Sequence, residues 1–310
     1  MALQALTSQF ASFFGTLNPG SSFESTASSQ YNTIKGLIED RSGPAASLSP
    51  ICFLQGSYKQ QTAIYSINDV DIVALCKLWS PGSGVSRSYS RDEIFQIVAA
   101  PLRNDGRYRS KLTYGPNSMC IKVDLGIKVE ILPVVYKVGS EDPSKEPFHL
   151  YRPTTQKWED GFARYHQYHL SAKNKSERTA GNFIPAIKVF KHLRSLNNVD
   201  AVSFHIECLL FSLADNLFVG PASDYIPAIL TYIAAVPAAT GYGAIVKTPC
   251  SDRDIFTGSE WSLSKWTEFH TWVQRWAKLA TLAQGAQYKV DAIRYWKSLL
   301  GDTYFPETAS

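Results

Sequence analysis

Asp69 and Asp71 are separated by a single residue at the head of an apolar run, Val70-Asp71-Ile72-Val73-Ala74-Leu75. Charges at the edge of an apolar core are costly unless something compensates them. On a strand, residues i and i+2 project to the same side, so this pair aims at one point. Two carboxylates so placed repel unless a cation sits between them, and oxygen-only ligands favour Mg²⁺ or Mn²⁺. A third acid, Glu130, is embedded in a second apolar run, Ile127 to Pro133. Three carboxylates from two adjacent strands can hold two metal ions, the arrangement that serves phosphoryl and nucleotidyl transfer. A structural alternative stays open for the same residues: Asp69 capping the strand entry, Asp71 paired with a lysine, and Glu130 facing solvent on an edge.

Gly56-Ser57 ends twelve residues before Asp69. At the mouth of a helix, its backbone N–H groups and the serine hydroxyl would cradle a phosphate, although a bare Gly-Ser is also a common turn. Farther along, Lys188, Lys191 and Arg194 recur every third residue and so share one side of a helix, which by itself reads as a solvated face. Phe204, at helical spacing among apolar neighbours, reads by itself as core. His166 and His169 have metal-compatible spacing but no third ligand nearby.

The elements that must position these residues are legible from periodicity. Residues 1–40 are predicted helical, split by Asn18-Pro19-Gly20. Ile67 to Leu75 reads as a strand, and Ser90-Arg91-Asp92-Glu93 has capping-box form, opening a helix through about Leu102. Cys120–Leu125 and Ile127–Tyr136 read as two strands meeting at Gly126. From about Trp158 the pattern becomes helical, over 183–196, 201–217, 225–236, 262–284 and 288–300. Leu263, Trp266, Val273, Trp276, Ala280 and Ala283 form a core stripe in the fourth of these. The organisation is a mixed α/β half over residues 1–160 and a helical half over 161–310, with the join near 150–165.

With 45% hydrophobic and 19% charged residues, the chain has an ordinary soluble composition. A net charge of +4 suits an anionic substrate but is too small for a nucleic-acid-coating surface. The basic loop Arg103, Arg107, Arg109, Lys111 could touch phosphates, yet most such loops are merely solvated. Five scattered cysteines with no CxxC pair indicate neither a disulfide framework nor a zinc knuckle, and suggest a reduced compartment. The N-terminus lacks the basic and apolar regions of a signal peptide. The uncharged stretch from Tyr225 to Val246 is long enough to span a bilayer, but Pro227, Pro237, Gly241 and Gly243 make it a core helix and turn. The expectation is a cytoplasmic protein without a membrane segment.

The frame Gly-Ser, then Asp-x-Asp, then a distant acidic strand resembles the DNA polymerase β-like nucleotidyltransferase superfamily. Within it, "QGSYKQQTAI…NDVDIVAL" followed by "KVEILPVV" is similar to the cGAS/DncV-like nucleotidyltransferases (CD-NTases) of bacterial anti-phage signalling. The likeness continues through "FIPAIKVFKHLRS", "AVSFHIECLLF" and "AIRYWKSLLGDTYFP", and so spans nearly the whole chain. The resemblance implies an α+β fold: a polymerase β-like core with a mixed sheet and helices, a C-terminal helical domain, and an active site in the cleft between them. It implies that Gly56 and Ser57 bind triphosphate and that Asp69, Asp71 and Glu130 are catalytic ligands of two Mg²⁺ ions, with Mn²⁺ an alternative. Lys191 would hold phosphate charge with Lys188 as a second candidate, Ser203 would touch phosphate, and Phe204 would stack on the base. Two departures stand out. The third carboxylate, most often aspartate in the superfamily, is Glu130, and the common Arg-Gly-Thr after Gly-Ser is Gln60-Gln61-Thr62.

The resulting expectation is an Mg²⁺-dependent enzyme that joins NTPs into a cyclic di- or trinucleotide and releases pyrophosphate. It would be a monomer that reaches its downstream effector through the nucleotide product. Two alternatives remain: a template-independent RNA-tailing or small-molecule nucleotidyltransferase, and an inactive nucleotide-binding scaffold. Tailing needs a longer basic track for RNA, and a scaffold should have lost a carboxylate.

Overall fold

The computed structural model describes residues 6–67, 69–139, 148–238, 246, 248–250, 254–256 and 260–308. The class is α+β, with a mixed sheet, helices, and a helical C-terminal part. Helix α1 (Thr7–Leu17) ends before Asn18-Pro19-Gly20, where the extended backbone of Asn18 and Gly20 breaks the helix, and α2 (Ser21–Ile38) follows. The chain divides into two compact units: Met1–Asn18 with Thr62–Tyr65 and Tyr168–Ser310, and Pro19–Gln61 with Ser66–Gln167.

The second of these units is built on a seven-stranded sheet. Its elements are β1 (Pro50–Gln55), α3 (Gly56–Lys59), β2 (Asp69–Cys76), α4 (Arg91–Asn104), β3 (Leu112–Thr113), β4 (Ile121–Asp124), β5 (Lys128–Val135), β6 (Phe148–Arg152) and β7 (Lys157–Gly161). Strand order is β1-β2-β5-β4-β3, with β6 on β5 and β7 on β6. Only the β2–β5 pair is parallel among these described strands. Period-two alternation sorts the side chains. Val70, Ile72, Val129, Ile131, Ile121 and Val123 pack on one face with Ile34 and Ile38 of α2 and Ile94, Phe95 and Val98 of α4. On the opposite face, the far ends of the strands bury Val73, Leu75 and Val134 with Phe148 and Leu150. That leaves the near ends of this face to the charged residues.

The capping box forms as the sequence implies: Ser90 Oγ accepts from the Glu93 amide (3.3 Å) and Glu93 Oε2 accepts from the Ser90 amide (2.8 Å). Strands β4 and β5 meet at Gly126, whose φ of +85° suits glycine. Strand β7 corrects the expectation of helix from Trp158 onward. Its extended state comes from pairing with β6, register Tyr151 to Trp158, rather than from any apolar alternation of its own.

The other unit is helical: most of α5 (Ala163–Lys175), then α6 (Phe183–Leu196), α7 (Ser203–Ser212), a 3₁₀ turn (Asp215–Phe218), α8 (Ala222–Ala235), α9 (Leu263–Gly285) and α10 (Lys289–Leu300). The stripe on α9 is buried from Trp266 to Ala283, but Leu263, on its first turn, is half-exposed. Within the apolar stretch from Tyr225, residues to 235 complete α8, while Gly241 and Gly243 lie outside the described residues. No helix among the described residues is long and apolar enough to cross a membrane.

Candidate active site

The polar end of the sheet face is a row set by register. Gln55 of β1 lies opposite Asp71 of β2, Asp71 opposite Glu130 of β5, and Glu130 opposite Lys122 of β4. One pair farther out, Asp69 and Asp124 flank Lys128 from either side. Same-face alternation therefore puts Asp69, Asp71 and Glu130 side by side, as two adjacent strands must.

Asp71 makes no hydrogen bond or ion pair with any described residue, so the alternative in which it pairs with a lysine does not hold. Its carboxyl is pushed up to about 7, first by burial and then by the charges of Asp69 and Glu130. Among the described residues, no group of three or more histidine, cysteine, aspartate or glutamate side chains is gathered into a coordination shell. The donor chemistry nevertheless fits a hard divalent cation: oxygen ligands of one sign, one of them largely desolvated and uncompensated.

Gly56 opens α3 with φ +70°, and the turn runs directly against this carboxyl group. A Cβ on Gly56 would lie 1.9 Å from Asp71 Oδ2. Glycine is required here twice over, by the left-handed backbone and by the lack of space. Ser57 follows as the second residue of α3 and is half-buried. The structure thus brings Gly56 and Ser57 to the acidic pair, fifteen residues apart along the chain from Gly56 to Asp71.

Glu130 is held by β4. Lys122 Nζ is 2.8 Å from Oε1, and the Cys120 thiol donates to Oε2 at 3.5 Å. Burial, then Glu130, pushes the Cys120 thiol up to about 12, so it stays a neutral donor. Glu130 therefore faces a partner rather than bare solvent. Lys122 and Lys128 escaped the sequence reading; their alternation with Asp124 along the hairpin, in phase with Glu130, was the available signal. Asp124, a further acid six residues before Glu130 on β4, instead accepts from the Gly126 amide (3.2 Å) and closes the β4–β5 turn. Glu130→Gln is expected to lose activity as the aspartate variants do, by roughly 10³-fold. Asp124→Asn should stay within about threefold of wild type, because an amide oxygen can keep the turn hydrogen bond. Initial rates of the two purified variants decide between them; a dead Asp124→Asn beside an active Glu130→Gln reverses the assignment.

In the helical unit, the lysine face of α6 is not solvated. Lys191 is 2% exposed and pairs with Glu207 Oε1 at 2.7 Å. It also donates to Thr62 Oγ1 (2.8 Å) and Thr62 O (3.2 Å). Lys188 donates to Asn18 Oδ1 at 2.7 Å. Ser203, the first residue of α7, accepts from Arg194 Nη1 at 3.3 Å. Phe204 is half-buried against the helical core and meets His205 edge-on. Asn182, which from its place before α6 could read a base edge, gives its amide to the carbonyls of Phe218 (2.8 Å) and Gly220 (3.1 Å).

Residues 171–274 match the C-terminal helical domain of the cGAS/DncV-like nucleotidyltransferases. The chain is 24% identical over 229 residues to a cyclic UMP-AMP synthase of Rhodothermus marinus, covering 67% of this chain and 78% of that one. The solved structure of R. marinus CdnE, a c-UMP-AMP synthase with Apcpp and Upnpp, superposes with a TM-score of 0.67 at 20% identity over 92% of this chain and 99% of that chain. Escherichia coli CdnC, solved in complex with HORMA-deltaN, gives a TM-score of 0.72 at 17% identity over 97% of this chain and 98% of that chain. At these identities the structural likeness speaks for the fold.

Proposed function

From its likeness to the cGAS/DncV-like nucleotidyltransferases, we propose that this chain joins NTPs into a cyclic di- or trinucleotide, with Mg²⁺ and with release of pyrophosphate. The observation that carries the reading is Asp71: a carboxyl raised to about 7 by burial and two neighbouring acids, with a glycine turn pressed against it. Such a group is unfavourable as it stands and becomes favourable when a cation joins it.

Asp69, Asp71 and Glu130 would hold the divalent ions, Mg²⁺ or Mn²⁺. When bound, these ions supply a lowered pKa for an acceptor ribose hydroxyl and neutralise charge on the departing pyrophosphate. The protein's own residues do the rest. The Gly56 turn and the Ser57 hydroxyl bind the donor triphosphate beside Asp71. Lys122 and Cys120 hold the Glu130 carboxylate in place, and Phe204 offers a ring on which a base can stack. The acceptor oxygen forms the new bond to the α-phosphorus as the bond to pyrophosphate breaks. A second transfer within the linear product closes the ring.

In cells the product would act as a second messenger in anti-phage defence, made in the cytoplasm by a monomer and read by a separate effector. The relatives named above support a dinucleotide among the possible products. Incubation with all four labelled NTPs and Mg²⁺, then phosphatase and nuclease mapping, tests the reading. A phosphatase-resistant product with no free end is expected. Linear tails added to an RNA primer would favour the tailing alternative, and no pyrophosphate release at all would favour the scaffold.

A further inference from the structure

We propose that Lys122 makes divalent-cation binding at Asp69, Asp71 and Glu130 depend on bound nucleotide: its ammonium neutralises Glu130 in the nucleotide-free protein, and substrate phosphates restore the missing negative charge. The role in catalysis rests on the reaction proposed above, whereas the charge arrangement belongs to the protein alone. All the residues involved lie in one compact unit, Pro19–Gln61 with Ser66–Gln167. Lys122 of β4 stands directly opposite Glu130 of β5 in an antiparallel register, so the two side chains share a face. Its Nζ lies 2.8 Å from Glu130 Oε1, and the Cys120 thiol donates to Oε2 at 3.5 Å. Donors from the β4 side thus engage both oxygens of this carboxylate. On the other side, Asp71 faces Glu130 across the parallel pair, with Asp69 two residues before it. Among the described residues, Lys122–Glu130 is the one ion pair that any of the three acids makes. Lys122 therefore compensates one acid and leaves the other two to a cation.

The number of charges decides what such a site holds. Three ionised carboxylates and one ammonium leave two formal negative charges on this face instead of three. Cation affinity at an oxygen site rises with the negative charge of its ligands, and Mg²⁺ gives up its water reluctantly. It is ordinarily held by one or two carboxylates together with substrate phosphates. The pairing of Lys122 brings a three-carboxylate site to that condition. The ammonium is also free to give way. The Lys122 side chain is 60% exposed, and an ion pair so open to water is weak. Its flexible four-carbon stem lets it leave Oε1 for a phosphate oxygen when a cation comes to Glu130. Lys128 supplies the contrast. It stands between Asp69 and Asp124 in the register, on the same face, yet it is exposed and pairs with neither. A general field would arise from both lysines, whereas a pairing effect comes from Lys122.

The test is Mg²⁺ titration of the nucleotide-free protein by calorimetry, in wild type and in variants of the two lysines. Lys122→Met removes the charge at an exposed position and should tighten Mg²⁺ binding about tenfold. Lys122→Gln keeps a hydrogen-bond donor without the charge and should do the same, while Lys122→Arg should match wild type. Lys128→Met should stay within about twofold of wild type. With α,β-methylene analogues of the four NTPs added in turn at saturation, the gain in Lys122→Met should shrink below about threefold for those that bind. The coupling between nucleotide and Mg²⁺ falls by the same factor. The proposal is overturned if Lys122→Met binds Mg²⁺ no more tightly than wild type, if Lys122→Gln behaves as wild type, or if Lys128→Met tightens binding as much. A tenfold gain that persists undiminished with an analogue bound also overturns it. Binding needs no product. The expected pattern in a protein that makes no cyclic nucleotide would sink the proposed reaction and leave this inference standing, and a cyclic product without that pattern would do the reverse.

Discussion

Asp71→Asn is expected to yield a folded protein that has lost synthesis by roughly 10³-fold or more, and that melts at a higher temperature than wild type in EDTA. Both halves follow from one environment. Asp71 is largely desolvated and faces Asp69 and Glu130, so its folded pKa is raised from 3.8 to about 7. For an acid raised in this way, the stability it contributes is fully present below about 3.8 and is lost as pH rises through about 7. A shift of that size corresponds to on the order of 4 kcal/mol above pH 7. Asparagine carries no charge, so its gain in melting temperature should be several degrees at pH 8 and much smaller at pH 5. Mg²⁺ should raise the melting temperature of wild type at pH 8 and leave Asp71→Asn nearly unmoved. Thermal unfolding at the two pH values, with EDTA or Mg²⁺, and initial rates measure all of this. A gain equal at both pH values, or a variant retaining a tenth of the activity, would contradict the assignment.

Gly56→Ala should cost about 10²-fold or more in kcat/KM, together with about 1–2 kcal/mol of stability from the left-handed backbone. The new methyl would lie 1.9 Å from Asp71 Oδ2, 2.8 Å from Cγ and 3.2 Å from Cβ. Contacts that reach back to Cβ cannot be relieved by swinging the carboxylate alone. Either the turn that presents Ser57 withdraws or Asp71 leaves its place opposite Glu130, and each outcome misaligns the donor triphosphate. Gly36→Ala is the matched control: it lies in α2 with nothing within 4 Å and no positive φ. It should leave kcat/KM unchanged and raise stability slightly, by about 0.5–1 kcal/mol. If Gly56→Ala keeps full activity with only the stability loss, the turn does not present the substrate.

Much of this protein was legible from residues a few positions apart. The same-face pair Asp69 and Asp71, the Ser90–Glu93 capping box, the Gly126 turn and the α9 stripe each follow from a period of two or 3.6, or from one local hydrogen bond. Such signals need nothing from the rest of the chain. Partner identity is different. That Lys122 meets Glu130, and that Asp124 closes a turn instead of joining the acids, depends on the β4–β5 register. That Gly56 presses on Asp71 depends on β1 and β2 aligning Gln55 with Asp71. The extended state of β7 depends on β6. Lys191 shows the difference most sharply: helical spacing makes it one of a basic stripe, yet a threonine 129 residues away and a glutamate on the next helix bury it. Local periods choose the face on which a side chain stands, whereas long-range packing chooses what stands opposite it, and the pairing energy belongs to the fold as a whole.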